Sequence, residues 1–131
     1  ILAVNRTPWK AFQADLADAS ATLMLLPNVI AHFAAPPTLL VNCASRFDYD
    51  DPATVTAEAL AGHMAVNLSA PVLLATTLAR LLPENERGCV INITDQRVLQ
   101  PNGDQLSYTL PRERWRAHWH RESASTRSRR D

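Results

Sequence analysis

Two residues in this chain are spaced for proton transfer. Asp95 closes the apolar run GCVINIT at residues 88–94, and Tyr108 follows it by 13 residues. A carboxylate and a phenol brought within reach of one another can deliver a proton to a substrate or remove one. Other chemistry-bearing residues also stand directly after short apolar runs. Asp15 and Leu16 follow AFQA at 11–14, and Asn42, Cys43, Ala44 and Ser45 end or follow TLLVN at 38–42. If those runs are parallel strands, all these residues lie beyond carboxyl ends of strands, where open α/β sheets bind their ligands. Each has an ordinary reading as well. Asp95 suits a loop acid or a helix cap, Tyr108 a half-buried core residue, Phe47 a packing residue, and Asn67 a side chain bridging backbone inside a helix.

The elements that would position these residues can be read from periodicity. Residues 38–42 and 88–94 are continuous apolar runs, the pattern of strands covered on both faces of a parallel sheet. Residues 1–4 and 11–14 are shorter candidates for strands, with Thr7-Pro8 breaking the first. Asp18 or Ser20 can cap a helix running to about Phe33, with Leu23, Leu26, Ile30 and Phe33 on one stripe. Pro27 inside it predicts a kink or interruption, and Pro36-Pro37 ends it. Thr56 caps a long helix with Glu58 in its first turn, carrying Leu60 to Leu82 and bent at Pro71. Pro101-Asn102-Gly103 marks a turn, and ordered structure restarts at 106–110. Strand, helix, strand, helix, strand in alternation predicts an α/β fold with a parallel sheet and right-handed crossovers.

Composition narrows the function classes. The chain has 131 residues, 47% hydrophobic and 20% charged, with 13 basic and 13 acidic side chains. No unbroken apolar run approaches the ~20 residues that span a bilayer, so no membrane segment is expected, and no signal peptide pattern is present. Cys43 and Cys89 are too few for a disulfide scaffold or a Cys-rich zinc site, and they are expected to be inert core thiols in a reducing cytoplasm. No metal site is expected, because His118 and His120 lack completing ligands. His32 and His63 read as ordinary helix residues, and Met24 and Met64 as core fillers.

The zero net charge hides a split. Residues 1–110 carry six basic and ten acidic side chains, and residues 111–131 carry seven arginines against three acids. That tail has Trp115 and Trp119 and no Leu, Ile, Val or Phe, so disorder is expected after about residue 111. A non-enzymatic chain whose basic tail binds nucleic acid or another acidic partner is the alternative reading of its function.

Four segments in order resemble the short-chain dehydrogenase/reductase family over about residues 11–110. LVNCASRF at 40–47 looks like the family's Asn-Asn-Ala-Gly/Ser segment, and MAVNL at 64–68 like its helix with a functional Asn, here Asn67. CVINITD at 89–95 looks like its fifth strand, and SYTL at 107–110 like the start of its Tyr-x-x-x-Lys motif. The resemblance implies an incomplete Rossmann-type, three-layer fold over residues 1–110 and NAD(P)H-dependent oxidoreduction in a protein that is usually a homo-oligomer. Most members carry a Ser where Asp95 stands. Asp95, with Phe47 directly after the Asn-x-Ala-Ser segment, is similar to the pteridine reductases. That likeness implies a pterin-like or carbonyl substrate stacked on Phe47 and NADP(H) as cofactor. Tyr108 would donate the proton with Asp95 assisting through a water, and Asn67 would hold a relay water. Asp15 and Leu16 would border the adenine, and Asn42, Ala44 and Ser45 would line the cofactor.

The sequence also departs from the family. Gly62, Gly88 and Gly103 are scattered and form no glycine-rich phosphate turn, so a missing first strand and helix are expected. Arg112 stands where the family has its Lys, and Pro111 is expected to bias Leu110 out of helical geometry and turn Arg112 away from Tyr108. The abrupt change at Leu110-Pro111 suggests a shifted reading frame. These departures lead to the expectation that this chain binds cofactor poorly and is nearly inactive.

Overall fold

The computed structural model describes residues 9–96, 99 and 104–112. The expected strand at 1–4, the turn at 101–103 and the Arg-rich segment from 113 onward lie outside the described residues. Within them the order is helix α1 (Ala19–Phe33), strand β1 (Leu39–Asn42), helix α2 (Ala57–Met64), a wide π-helical turn (Ala65–Ser69), helix α3 (Ala70–Leu81) and strand β2 (Cys89–Asn92). A last helix, α4, covers residues 106–112. The fold is α/β of Rossmann type, with β1 and β2 paired in parallel.

Local chemistry explains most of these boundaries. The Asp18 carboxylate accepts the Ser20 N–H at 2.8 Å and caps α1. Hydrogen bonds from the Ser20 side chain and from the Ser20 and Ala21 N–H groups hold its carboxyl below the usual carboxylate range. Pro27 does not interrupt α1, which runs unbroken from Ala19 to Phe33. The carbonyl of Leu23 loses its helical donor to the proline, but it lies on a turn where Leu23 and Met24 are exposed to water. That exposure also corrects the reading of Met24 as a core residue. Ala34 ends the helix in the left-handed conformation at φ 55°. Residues 11–14 form no strand, because no ladder partner for them lies among the described residues.

The Thr56 hydroxyl caps α2 by accepting the Ala59 N–H at 3.1 Å. The run Ala57–Leu81 is long and apolar enough to cross a bilayer by length and composition, contrary to the expectation above. It nevertheless buries the polar side chains His63, Asn67 and Thr77. It also packs on α1 and β1 through α3, as a core helix does. Its discontinuity is not a bend at Pro71 but the wide turn before it. Pro71 has no N–H, so the carbonyl facing it has no helical donor. That carbonyl belongs to Val66 in the wide register or to Asn67 in the α-helical one.

The core is small. Leu26 of α1 and Leu74 and Leu78 of α3 form its buried centre, with Leu25, Leu40, Leu82 and Val90 packed around them. The strands register Leu39 with Cys89 through to Asn42 with Asn92. Side chains alternate across a strand, so Leu40 and Val90, with Asn42 and Asn92 beyond them, turn toward the helices. Leu39, Val41, Ile91 and Ile93 are exposed. The expectation of strands covered on both faces is therefore corrected: among the described residues, helices cover one face. Cys43 and Cys89 are corrected for the same reason, since both are exposed free thiols.

Leu78, 2% exposed, sits where α1, α3 and the sheet meet. Truncation to alanine should cost about 3 kcal/mol by loss of transfer energy plus the cavity left behind. Urea unfolding followed by circular dichroism checks this, with the exposed Leu81 as the low-cost comparison.

Candidate active site

The loop after β1 is held down by α2 and the wide turn. The Asn67 side chain is buried, and it pairs with both backbone polar groups of one residue. Its Oδ1 accepts the Arg46 N–H at 2.9 Å and its Nδ2 donates to the Arg46 carbonyl at 2.9 Å. Farther along the loop, Asp50 reaches the start of α4. Its carboxylate accepts the Ser107 N–H at 3.2 Å, and its carbonyl accepts the Gln105 N–H. A carboxylate at a helix N-terminus satisfies an otherwise unpaired donor and complements the helix dipole. Gln105 enters the helix at φ 59°.

These two anchors bring Phe47 and Tyr108 together. Their rings meet edge to face, with centroids 4.8 Å apart and planes at 85°. Phe47 is half exposed, whereas Tyr108 is 4% exposed. Tyr49 leans on the outer side of Phe47 at 5.7 Å. The Tyr108 hydroxyl donates directly to Asp95 Oδ2 at 3.1 Å, so the two residues 13 apart in sequence form one hydrogen-bonded pair.

Arg112 completes the site, against the expectation that Pro111 would turn it away. Residues 106–112 are helical through Leu110 and Pro111, although Pro111 removes the N–H that would have bonded the Ser107 carbonyl. Arg112 therefore lies one turn past Tyr108, its guanidinium carbon 4.7 Å from the ring centroid. One guanidinium nitrogen donates to Ser45 Oγ at 2.7 Å and another contacts the Ile93 carbonyl at 3.4 Å.

The Tyr108 hydroxyl is held above its ordinary pKa of 10. Burial is the main cause, and the hydrogen bond and negative charge of Asp95 add to it. The Arg112 cation and the Ser45 hydroxyl oppose the shift without reversing it. The phenol is therefore kept protonated through neutral pH, the state a proton donor needs.

A cleft lined by Asn42, Ala44, Asn67, Pro71, Asn92, Ile93, Thr94 and Arg112 opens at the carboxyl ends of the two strands, with space of ≈ 20 Å³, enough for one water. Asn42 Nδ2 donates to Asn92 Oδ1 at 2.8 Å across its floor. Asn42, Ala44 and Asn67 thus share one cleft, and Ser45 borders it through Arg112. Asp15 and Leu16 lie in the turn before α1, outside that lining, where the Asp15 carboxylate accepts the Ala17 N–H at 2.9 Å. No group of three or more potential metal ligands occurs among the described residues.

The sequence reading took His63 for an ordinary helix residue and gave Ser107 no role of its own. His63 is fully buried, and its ring touches both the loop and Ser107. The available signal was its position one turn before Asn67, which places both on one helix face.

A family model described as short chain dehydrogenase matches residues 2–110. The chain belongs to the short-chain dehydrogenase family. It is 35% identical over 99 residues to a human (3R)-3-hydroxyacyl-CoA dehydrogenase, covering 75% of this chain and 38% of that enzyme. Its structure is similar to FolM alternative dihydrofolate reductase 1 from Brucella suis, solved in complex with NADP. That similarity has a TM-score of 0.75 and 37% identity, covering 81% of this chain and 44% of that one. A Serratia marcescens short-chain dehydrogenase/reductase shares the fold at TM-score 0.69 and 24% identity. The chain spans about two fifths of the length of the relatives it matches.

The balance of charges around Tyr108 predicts opposite shifts for two variants. Tyr49 and Tyr108 are the two tyrosines of the chain, so in a Tyr49→Phe background tyrosinate absorbance reports Tyr108 alone. Asp95→Asn should move that titration to lower pH by removing a nearby negative charge. Arg112→Ala should move it higher. A folded-state pKa raised above the unfolded value also means that this contribution to stability is present below about pH 10 and lost as pH rises through the folded pKa.

Proposed function

We propose that these residues form the catalytic part of an NAD(P)H-dependent reductase acting on a pteridine or dihydropterin. The direct Tyr108–Asp95 hydrogen bond beneath the ring of Phe47 carries this reading. Reduction of a C=N bond requires a proton at nitrogen, and a phenol buttressed by a carboxylate is a donor suited to it. Phe47 is an exposed, flat apolar surface against which a planar heterocycle can rest. The likeness to an NADP-bound alternative dihydrofolate reductase supports the same assignment.

In this reading Tyr108 gives up its hydroxyl proton to the substrate nitrogen, and Asp95 holds that hydroxyl in place. The Arg112 cation over the ring stabilises the phenolate left behind. Asn67 fixes the loop that carries Phe47. The residues present fit a nicotinamide cofactor in part. Asn42, Ala44, Ser45 and Asn92 offer small or polar groups at the cleft, and Asn92 and Arg112 bring donors to it. Asp15 and Leu16 would meet the adenine end. When bound, the cofactor supplies the hydride. Residues 1–131 contain no glycine-rich phosphate turn, so we infer that this stretch alone binds the cofactor weakly and turns over slowly. A reducing, cytoplasmic location suits the two free thiols.

The test compares two substrates and one variant. With NADPH in excess, 7,8-dihydrobiopterin should accelerate NADPH oxidation, and acetoacetyl-CoA should not. Dihydrobiopterin should bind saturably, at least about tenfold more weakly after Phe47→Ala, the loss of one stacked ring. Reduction of acetoacetyl-CoA in preference to the pterin would instead favour the hydroxyacyl chemistry of the human relative and overturn the pterin assignment.

A further inference from the structure

His63 is a buried imidazole that the chemistry above does not use. Its side chain is 0% exposed, and each ring nitrogen has defined partners. Nε2 faces the Asp48 backbone N–H at 3.1 Å. Nδ1 lies 2.9 Å from the Ala59 carbonyl and 3.0 Å from Ser107 Oγ. An N–H can only donate, so Nε2 must accept, and the ring proton sits on Nδ1, where the Ala59 carbonyl needs a donor. The Asp48 carboxylate is 3.8 Å from Nε2 and is already engaged by the Arg46 guanidinium at 2.6 Å.

The consequence is geometric. Asn67 holds the backbone of Arg46 through that residue's N–H and C=O, and His63, one turn earlier, holds the Asp48 N–H. Phe47 lies between two residues pinned to the same helix face. The other nitrogen of His63 meets Ser107, the neighbour of Tyr108. One imidazole therefore touches the supports of both rings that face each other at 4.8 Å.

We propose that His63 is a positioning residue that sets the placement of Phe47 against Tyr108, and so the slot offered to a flat ring. The slot's use by a pterin rests on the functional reading above, whereas the placement itself does not. A misplacement of about 1 Å at a reacting centre can cost two orders of magnitude in rate, so such a support acts on catalysis without touching substrate.

Two substitutions separate the two halves of the imidazole. His63→Gln keeps an acceptor near the Nε2 position, and His63→Asn keeps a polar group near Nδ1 but falls short of the Asp48 N–H. Long-range ¹H–¹⁵N spectra of the labelled 131-residue chain should show His63 protonated on Nδ1 and not on Nε2. His63→Asn should raise Asp48 amide exchange by about tenfold or more, through local opening, and abolish the Phe47–Tyr108 ring cross-peaks. His63→Gln should retain both. Persistence of those cross-peaks in His63→Asn, identical behaviour of the two variants, or protonation on Nε2 would overturn the proposal. If His63→Asn does not fold, the tautomer and the cross-peaks of His63→Gln decide it. Dihydrobiopterin added to the unmodified chain gives a separate readout: failure to shift the Phe47 and Tyr108 ring signals sinks the pterin reading and leaves the positioning result standing.

Discussion

The site depends on the capture of one residue's backbone, both its N–H and its C=O, by one side chain. Asn67 presents an acceptor and a donor to the N–H and C=O of Arg46, both at 2.9 Å, much as a neighbouring strand would. A loop backbone turned toward a helix would otherwise bury polar groups with no partner, at a cost of about 1–3 kcal/mol each. The carboxamide removes that cost and fixes the loop at a single register. Everything placed by the loop then follows: Ser45 beside Arg112, Phe47 over Tyr108, and Asp50 at the head of α4. An aspartate or a leucine at position 67 has about the right size and lacks one or both of the complementary groups.

The second layer of support is electrostatic. Asp50 holds the first turn of α4, Asp95 holds the hydroxyl of Tyr108, and Arg112 lies across the ring's face. Acid, phenol and cation form a short series in which burial and the acid favour the neutral phenol and the cation favours the phenolate. A donor needs this opposition. It must stay protonated until the substrate arrives, and the charge it leaves behind must be bearable.

Much of this was legible in the sequence. The runs at 38–42 and 88–94 announced two parallel strands, and the residues at their carboxyl ends do meet in one cleft. Asp95 and Tyr108 were joined by spacing, and Thr56 and Asp18 by cap chemistry. What stayed hidden has physical reasons. Periodicity shows which residues are apolar and is silent on whether a second layer exists to cover them, so Val41, Cys89 and Ile91 were read as buried. Pro27 and Pro111 were read as breakers, although both are carried inside helices, Pro27 where water can reach the freed carbonyl. His63 resembles any histidine in an apolar helix until the partner 44 residues away, Ser107, is brought beside it. Asn67 was singled out for a water relay, and the loop residue it holds could not be named from sequence.

The wide turn at Ala65–Ser69 gives a single helical rod two headings. A π-helical turn accommodates about one more residue than an α-helical turn, and each residue of a helix is worth about 100° of rotation. His63 precedes the slip, Asn67 lies within it, and both point at the loop, whereas Leu74 and Leu78 follow it and point at α1 and the sheet. In an unbroken α-helix all four, at spacings of four, seven and four, would fall on one stripe and compete for one neighbour. The extra residue is thus a phase shifter. It divides a continuous rod into a part that builds the active-site loop and a part that builds the core, and the same sequence wound as an unbroken α-helix would leave every side chain present and the two tasks superimposed.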